Sequence, residues 1–386
     1  YVIAVMSGNF VQRGTPAIVH KYARCKSALE SGADFVFELP VAYSTASAEY
    51  FALGAISLLD QLGVVDYLCF GSEVGDIDIL RKVADFLLAH PKEYNTSISK
   101  YMKTGISFPY ARAKAIKSYC PEVSDQLLSS PNNILGIEYI KALLKLESKI
   151  TPITIPRKEA SYHESSLNQP LNNQGKSISS ATSIRNIILE GSSFSILKNH
   201  MPDHSYKLLE KEYKKTFPIV ENDFSLLLNY SLLQENKESL LEYIDIKEDL
   251  GNRIINLRGE DNFTDLVFKI KSKQWTHTRI NRVLIHILLN LKTKNLDLYN
   301  EHGYCQYGRL LGLNKSSSPL LRKIKDNNKL PIITNLGSDR KKLSKIGLQM
   351  LEEDSYATDL YKLLIQEKFA YKMDNEYQQG ICLSNH

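Results

Sequence analysis

Short apolar runs in the first half of the chain are separated by stretches with helical periodicity. The runs are rich in Val, Ile, Phe and Tyr and do not alternate with polar residues; they are Val2–Met6, Phe35–Leu39, Tyr67–Phe70 and Ile150–Ile155. Unbroken runs of this kind are typical of strands that are buried on both faces of a sheet. The helical patterns between them are Tyr22–Ser31, Ala46–Leu62 and Ile79–Ala89. This alternation predicts an α/β fold with a mainly parallel sheet.

Small, polar and basic residues follow the predicted strands. Ser7–Gly14 follows the first run, Pro40 the second, Gly71-Ser72-Glu73 the third, and Arg157-Lys158 the fourth. Ligands of open α/β sheets bind at the carboxyl ends of the strands. For any one of these segments, an ordinary turn is the simpler explanation. Four such ends together favour a ligand site, and the basic residues favour an anionic ligand.

A hydroxyl-rich segment, Ser177–Arg185, follows the polar stretch Leu171–Lys176 and leads into an apolar helical pattern. Hydroxyls such as those of Ser180 and Thr182 at a helix start are typical of N-capping. A helix N-terminus with free N–H groups, hydroxyls and an Arg one turn in, here Arg185, also forms a phosphate cradle. On the residues alone, both interpretations stay open.

Helical periodicity dominates beyond about Ser193, with a short extended piece at Leu330–Thr334. A chain of 386 residues is long for a single core, so we predict a nucleotide-binding domain over 1–193 and a helical domain over 194–386. The helical half carries three basic clusters, and most such clusters are solvated faces. Trp275 and His277 interleave with the first cluster, which makes contact with an RNA backbone a competing interpretation. The clusters are Lys269, Lys271, Lys273, Arg279 and Arg282; Lys315, Arg322, Lys323, Lys325 and Lys329; and Arg340, Lys341, Lys342 and Lys345.

Composition narrows the class of protein further. The net charge of +5 permits a polyanionic partner without requiring one. Apolar runs stay well short of the roughly 20 residues that span a bilayer, and the short apolar opening has no basic flank, so we predict neither a membrane span nor a signal peptide. The five scattered cysteines suggest reduced thiols in a cytoplasmic protein. His200 and His204 have helical spacing, but Pro202 lies between them, so no metal site is predicted.

Seven strings along the chain together resemble one family. They are Val5-Met6-Ser7-Gly8-Asn9-Phe10-Val11-Gln12-Arg13-Gly14, Phe37-Glu38-Leu39-Pro40, Cys69-Phe70-Gly71-Ser72-Glu73, Pro131-Asn132-Asn133-Ile134-Leu135-Gly136-Ile137-Glu138-Tyr139, Ser179-Ser180-Ala181-Thr182-Ser183-Ile184-Arg185, Thr278-Arg279-Ile280-Asn281-Arg282 and Leu330-Pro331-Ile332-Ile333-Thr334. The chain resembles, over nearly its whole length, the bacterial tRNA(Met) cytidine acetate ligases, a branch of the nucleotidyltransferase superfamily.

The resemblance implies a fold, a reaction and a set of site residues. The fold would be a Rossmann-like parallel-sheet nucleotidyltransferase domain followed by a mostly α-helical domain that helps to hold tRNA. The reaction would activate acetate with ATP, used with Mg2+, to acetyl-adenylate, and transfer the acetyl group to N4 of the wobble cytidine of elongator tRNA(Met). Gly71 would let the nucleotide approach the third strand end, and Arg185 would face the phosphates. The other implied ATP contacts are Asn132 or Asn133, Arg157, Lys158, Ser180 and Thr182. The basic residues expected to bind tRNA are Lys273, Arg279, Arg282, Arg322 and Lys323. No protein partner is predicted.

One part of the resembled pattern is absent. The family's first phosphate motif, His-x-Gly-His, does not occur in this sequence, and Tyr1 opens directly on a strand pattern. We therefore expect that one strand and one helix, about 30 residues for such a unit, precede Tyr1 in the intact enzyme. The 386-residue chain by itself is then expected to be inactive and poorly folded, and its catalytic residues stay unassigned.

Two other functions stay open at this point. A small-molecule adenylyltransferase of the same superfamily is one, although it would need little beyond a catalytic domain and would not require a long basic helical half. A non-catalytic RNA-binding derivative is the other, and the absent motif favours it. Pyrophosphate release with acetate and tRNA separates the ligase from both alternatives.

Overall fold

The computed structural model describes residues 1–106, 108–157, 179–259 and 262–385. Lys158, one of the implied ATP contacts, lies outside the described residues, as do Leu171–Lys176 and the start of the hydroxyl-rich segment. Among the described residues, no helix combines the length and the apolar character needed to cross a membrane.

The described residues form nine strands and nineteen α-helices, with short 3-10 turns between them. The strands are β1 (Ile3–Ser7), β2 (Phe10–Val11), β3 (Thr15–Pro16), β4 (Phe35–Leu39), β5 (Tyr67–Ser72), β6 (Thr151–Pro156), β7 (Gly308–Asn314), β8 (Ile332–Ile333) and β9 (Cys382–Ser384). The helices are α1 (Lys21–Glu30), α2 (Val41–Ser44), α3 (Ala48–Gln61), α4 (Ile77–Ala89), α5 (Pro91–Met102), α6 (Phe108–Lys117), α7 (Asp125–Ser129), α8 (Pro131–Lys145), α9 (Ala181–Leu189), α10 (Asp203–Glu212), α11 (Ser225–Gln234), α12 (Lys237–Leu240), α13 (Glu248–Leu257), α14 (Phe263–Ile270), α15 (His277–Leu288), α16 (Thr293–Glu301), α17 (Ser318–Asn327), α18 (Leu336–Asp339) and α19 (Lys345–Phe369).

Parallel pairing of the early strands confirms the predicted α/β fold. β1 pairs in parallel with β4, from Ile3 opposite Phe35 to Ser7 opposite Leu39, and α1 connects the two strands. Every residue of β4 is buried, as the unbroken apolar run predicts. β5 and β6 form a second parallel pair, and helix α8 packs against β5 at the close approach of Gly136 to Phe70.

The main sheet also contains a strand that the sequence analysis missed. β7 lies antiparallel to β4, and β8 and β9 both pair in parallel with β7. The expectation that strands fade beyond Ser193 is therefore wrong, apart from the extended piece that becomes β8. β7 is fully buried, but it contains two glycines, an arginine and no β-branched residue, so it carries a weak strand signal. The main sheet thus takes strands from both sides of residue 193, and the two-domain division there stays a prediction.

The free edges of β1 and β5 border one cavity of about 370 Å3. Its lining includes the first residues of both strands, Ile3 of β1 and Tyr67 of β5. The two strands therefore begin on the same side of the molecule. A ligand of an α/β sheet binds at the carboxyl ends of the strands, here at Ser7 of β1 and Ser72 of β5.

Candidate functional site

The ends of β5 and β6 bring two predicted ATP contacts together. Gly71 lies opposite Ile155 in the parallel register, and a Cβ atom at Gly71 would lie 3.4 Å from Cγ of Arg157. The backbone N–H of Arg157 donates to the carbonyl of Ser72 over 2.9 Å, which continues the ladder past the last strand residue. The Arg157 side chain is exposed. A glycine therefore leaves the strand end open beside a guanidinium that can reach an anion.

Asn132 and Asn133 face the protein and hold the loop that follows β5. Glu73 accepts hydrogen bonds from the Asn132 amide (2.6 Å) and from the backbone N–H of Asn133 (2.8 Å), so its carboxylate caps the start of α8. Asn133 is 1% exposed; its Oδ1 accepts from Val74 N (3.1 Å) and its Nδ2 donates to the Leu127 carbonyl (3.2 Å). In this geometry the two asparagines position the loop, and their direct contact with ATP stays a prediction.

Polar groups of the loop after β1 and of helix α1 hold this loop in place. Asn9 is buried and accepts from the backbone N–H of Lys21 over 2.8 Å. The Arg24 guanidinium donates to the carbonyls of Ser7 and Gly8. A Cβ atom at Gly8 would lie 2.3 Å from a carboxylate oxygen of Glu38, so no larger residue fits there without a shift. The loop that the family resemblance marks as a hallmark string is thereby fixed at the carboxyl end of the main sheet.

A buried ionic cluster lies directly beneath this loop. The Lys21 ammonium donates to both Glu38 oxygens (2.9 Å each), to Glu376 (2.9 Å) and to the Thr358 hydroxyl (3.0 Å). Lys21 is 1% exposed. Burial disfavours charge on Glu376, but the ammonium groups of Lys21 and Lys362 outweigh it and lower the Glu376 pKa to about 2. The cluster ties the start of α1 and the end of β4 to a residue near the end of the chain.

A second buried carboxyl group lies nearby on α19. Asp354 accepts from the backbone N–H of Val41 (2.6 Å) and from the hydroxyl of Tyr307. Burial, with a further contribution from the charge of Glu38, raises the pKa of Asp354 to about 8. Asp354 therefore holds the turn after β4 through the hydrogen bonds that it accepts.

Ser180 begins α9, as one of the two open interpretations requires. Its hydroxyl accepts from the backbone N–H of Ser183 over 3.0 Å, which is the geometry of an N-cap. Arg185 donates to the Thr182 hydroxyl over 3.1 Å. Ile188 of α9 packs in one apolar cluster with Val19 and with Ala23 of α1. The segment is thus N-capped, and its helix packs beside the start of α1, so the phosphate-cradle interpretation is still open.

Helix α15 packs directly against the hallmark loop. Gly14 has a φ of +70°, and a Cβ atom there would lie 2.1 Å from the backbone N of Arg282. Arg282 pairs with Asp245 at 3.6 Å, and burial lowers the pKa of its guanidinium. Arg279 donates to the Asp245 carbonyl over 3.2 Å. Among the described residues, Nε of both arginines is buried without a hydrogen-bond partner. The two arginines therefore share one helix face, as their spacing predicts, and that face lies toward the carboxyl end of the sheet.

The other predicted tRNA contacts lie apart from this face. Arg322 and Lys323 are exposed on α17, which follows the carboxyl end of β7. Because β7 is antiparallel to β4, α17 begins at the amino end of β4, where the Ser317 hydroxyl donates to Asp34. This is the end of the main sheet opposite to the hallmark loop. Lys273 is exposed in the segment before α15. Contact of these residues with tRNA stays a prediction.

Comparison with known proteins places the chain in a family. The family model described as HIGH Nucleotidyl Transferase matches residues 1–376. The tRNA(Met) cytidine acetate ligase of Acetivibrio thermocellus is 37% identical over 390 residues, which cover 99% of this chain and 92% of the relative. The protein of the same name from Caldanaerobacter subterraneus is 40% identical, over 97% of this chain and 90% of the relative. This chain belongs to the tRNA(Met) cytidine acetate ligase family.

Solved structures agree with this membership. Apo Thermotoga maritima TmcAL superposes with a TM-score of 0.90 at 31% identity, covering 100% of this chain and 93% of that chain. The same protein bound with alpha-thio ATP gives a TM-score of 0.87 at 30% identity, covering 100% and 92% of the two chains. The fold expected from the resemblance to the tRNA(Met) cytidine acetate ligase family is confirmed.

The buried cluster beneath the loop is the main part of the site that the sequence analysis of this family member missed. Lys21 and Glu376 are not recognisable as site residues from sequence, because charged residues are common near helix starts and chain ends. Glu38 did carry a usable signal, since it interrupts the otherwise apolar run Phe35–Leu39. A carboxylate in a strand that is buried on both faces requires a partner. That partner is Lys21, 17 positions away on another element, and nothing local in the sequence joins the two residues. The second carboxylate that Lys21 contacts, Glu376, is 355 positions from it.

Proposed function

We propose that this protein uses ATP to activate acetate and transfers the acetyl group to N4 of the wobble cytidine of elongator tRNA(Met). The observation that carries the proposal is the pair of strand ends described above, namely the open Gly71 position beside Arg157 at the end of β5 and the anchored loop at the end of β1. The two relatives compared above bear the name tRNA(Met) cytidine acetate ligase, and Thermotoga maritima TmcAL has been solved with an ATP analogue. The proposed setting is the cytoplasm.

In the proposed first step, an acetate oxygen attacks the α-phosphorus of ATP. The bond to the β-phosphate oxygen breaks, pyrophosphate leaves, and acetyl-adenylate forms. Negative charge builds up on the phosphoryl oxygens, so positioning and positive electrostatics supply most of the rate. Arg157 and Arg185 are suited to this role because a guanidinium binds phosphate oxygens bidentately. Mg2+ would enter bound to the ATP phosphates, as is usual for phosphate chemistry.

In the proposed second step, the exocyclic N4 amine of the cytidine attacks the acetyl carbonyl carbon. The bond to the phosphate oxygen breaks, AMP leaves with that oxygen, and the amine loses a proton. The cytidine must therefore reach the carboxyl end of the sheet. The α15 face that carries Arg279 and Arg282 lies on this side and would receive the RNA backbone.

The deciding experiment measures pyrophosphate release by the protein expressed from its complete reading frame. We expect release that depends on both acetate and elongator tRNA(Met), with N4-acetylcytidine as the product. Release with a nucleotide or phosphopantetheine acceptor in place of acetate and tRNA would instead indicate a small-molecule adenylyltransferase. Salt-dependent tRNA binding without acetate-dependent ATP turnover would indicate a non-catalytic RNA-binding protein.

The role of Arg157 has a matched control on the same strand. Arg157→Ala should lower acetate-dependent turnover by about a hundredfold, the usual cost of one electrostatic donor to developing charge. Lys149→Ala removes an exposed cation near the amino end of β6 and should leave turnover unchanged. Equal turnover by both variants would remove Arg157 from the site.

A further inference from the structure

An open groove lies between α13 and the segment Ser272–Trp275 that leads into α15. It has a volume of about 580 Å3. Apart from Leu257, its lining is polar or aromatic: Asp249, Asn252, Arg253, Asn256, Ser272, Lys273, Gln274 and Trp275. The proposed ATP site lies at the strand ends and includes no residue of this groove.

Trp275 gives the groove an aromatic wall. The side chain is partly buried and packs against the main hydrophobic core, while part of it lines the groove. A ring held in this way is fixed in orientation before any ligand arrives. Nucleobases stack on such rings in proteins that bind single-stranded nucleic acid, and the stacking tolerates any base.

The other groups in the groove match an RNA strand in charge and hydrogen bonding. Asn252 and Asn256 are both exposed and lie one turn apart on α13. Carboxamides can both donate to and accept from base edges. Lys273 is exposed, Lys269 and Lys271 precede it, and Asp249 is the only acidic residue of the lining. This excess of positive charge favours a phosphodiester backbone.

The wall of the groove is held rigidly. Arg253 donates through Nε to the Ile270 carbonyl and through Nη2 to the Lys269 carbonyl, both over 2.7 Å. These bonds fix the carboxyl end of α14, where the segment that carries Trp275 begins. The groove is therefore formed before binding, so little ordering free energy opposes a ligand.

The first turns of α15 connect the groove to the hallmark loop after β1. Trp275 precedes by seven residues Arg282, whose backbone contacts Gly14 of the hallmark loop. The five steps within α15 span about 8 Å at 1.5 Å each, and the two steps before it add at most about 7 Å, so the separation is at most about 15 Å. Four to five stacked nucleotides at about 3.4 Å each cover this distance. A base within a few positions of the reacting cytidine can thus reach Trp275 while that cytidine is at the sheet.

We infer that this groove binds an unpaired base of the RNA acceptor's anticodon loop, stacked on Trp275 and contacted by the amides of Asn252 and Asn256. The inference rests on the proposed function, which makes an RNA loop the acceptor. It adds a specific subsite to that function, namely a base-stacking pocket distinct from the ATP site.

Trp275 is the one tryptophan of the 386-residue sequence, and the difference in fluorescence between wild type and Trp275→Phe isolates its signal. Protein expressed from the complete reading frame is titrated with an anticodon stem-loop RNA of elongator tRNA(Met), and separately with ATP. We expect the RNA to quench the fluorescence and ATP to leave it unchanged. Quenching by ATP that competes with the RNA would overturn the inference, because the groove would then bind the nucleotide substrate.

Variants test the same subsite by affinity. Trp275→Ala should weaken RNA binding by between about five- and a hundredfold, the range found for loss of one stacked base, while Trp275→Phe should retain most of the affinity. The control is Phe268→Ala, which removes a neighbouring aromatic ring that is 64% exposed and does not line the groove. Asn252→Ala and Asn256→Ala change exposed residues of the groove. Their RNA affinity therefore tests the subsite even if Trp275→Ala does not fold.

A second readout separates this inference from the proposed function. Acetate-dependent exchange of pyrophosphate into ATP should be the same in wild type and Trp275→Ala, because that exchange needs no RNA. Normal tRNA acetylation together with unquenched fluorescence and undiminished RNA affinity of the variants would refute the groove alone. RNA quenching in a protein without acetate-dependent exchange would refute the proposed function and leave the groove in place.

Discussion

Replacing Lys21 by Met tests whether the buried ionic cluster supports the loop after β1. The substitution keeps the length of an unbranched side chain and removes the ammonium group. It leaves Glu38 and Glu376, which are 5% and 3% exposed, without the cation that each contacts at 2.9 Å. Lys362 still contacts Glu376 at 3.2 Å, so Glu38 is the carboxylate that loses its only close cation among the described residues.

The expected destabilisation is about 3–5 kcal/mol, the usual cost of removing one partner of a buried ion pair. The size depends on pH in a defined direction. Lys21 is one of the two ammonium groups that lower the pKa of Glu376 to about 2 in the folded protein. A lowered carboxyl pKa stabilises the fold above the unfolded pKa, and this contribution is lost as the pH falls toward the folded pKa. The deficit of Lys21→Met is therefore complete at neutral pH and shrinks in acid.

Urea unfolding of wild type and Lys21→Met at about pH 7 and about pH 4 measures both effects. Lys26→Met is the matched control, since Lys26 is an exposed lysine on the same helix and should change stability by less than about 0.5 kcal/mol. A Lys21→Met variant as stable as this control, or a deficit that grows at the lower pH, would refute the reasoning.

Three further predictions concern the site and the chain. Gly14→Ala should cost more stability than Gly303→Ala in urea unfolding; both positions have positive φ, but only at Gly14 would a Cβ meet backbone, at Arg282. Equal costs would contradict the close packing. Asn133→Ala should raise the KM for ATP in the exchange assay, because the loop after β5 loses the hydrogen bond from Val74 N and α8 loses its bond to the Leu127 carbonyl, each worth about 1 kcal/mol; an unchanged KM would remove this positioning role. The 386-residue chain by itself, which lacks His-x-Gly-His, should bind ATP weakly in isothermal titration, and micromolar binding would disprove this.

Local burial is the part of the fold that the sequence could predict. The run Phe35–Leu39 predicts a doubly buried strand because each of its neighbours along the chain is apolar, and every residue of β4 is indeed buried. The alternation of such runs with helical patterns then predicts parallel pairing, since crossover connections are right-handed and short. β7 escaped prediction because its burial depends on the neighbours it meets in the sheet and not on its own residue types.

The candidate site likewise has a part that the sequence predicts and a part that it does not. The string Gly71-Ser72-Glu73 and the residue Arg157 could be placed at strand ends from sequence, because strand order and direction fix where those ends lie. Sequence alone could not rank Arg322 against Arg282 as a tRNA contact, since both are basic residues in helical segments. Only the antiparallel direction of β7 sends α17 to the opposite end of the sheet from Arg282.

Sequence alone thus determined the fold class, the family resemblance and the residues that gather at the strand ends. All three depend on patterns within one segment or on the order of segments along the chain. The tertiary structure decided which charges are paired: Lys21 with Glu38 and Glu376, and Arg282 with Asp245. A buried charge needs a partner at hydrogen-bonding distance, and nothing in the chain order specifies which distant residue supplies it.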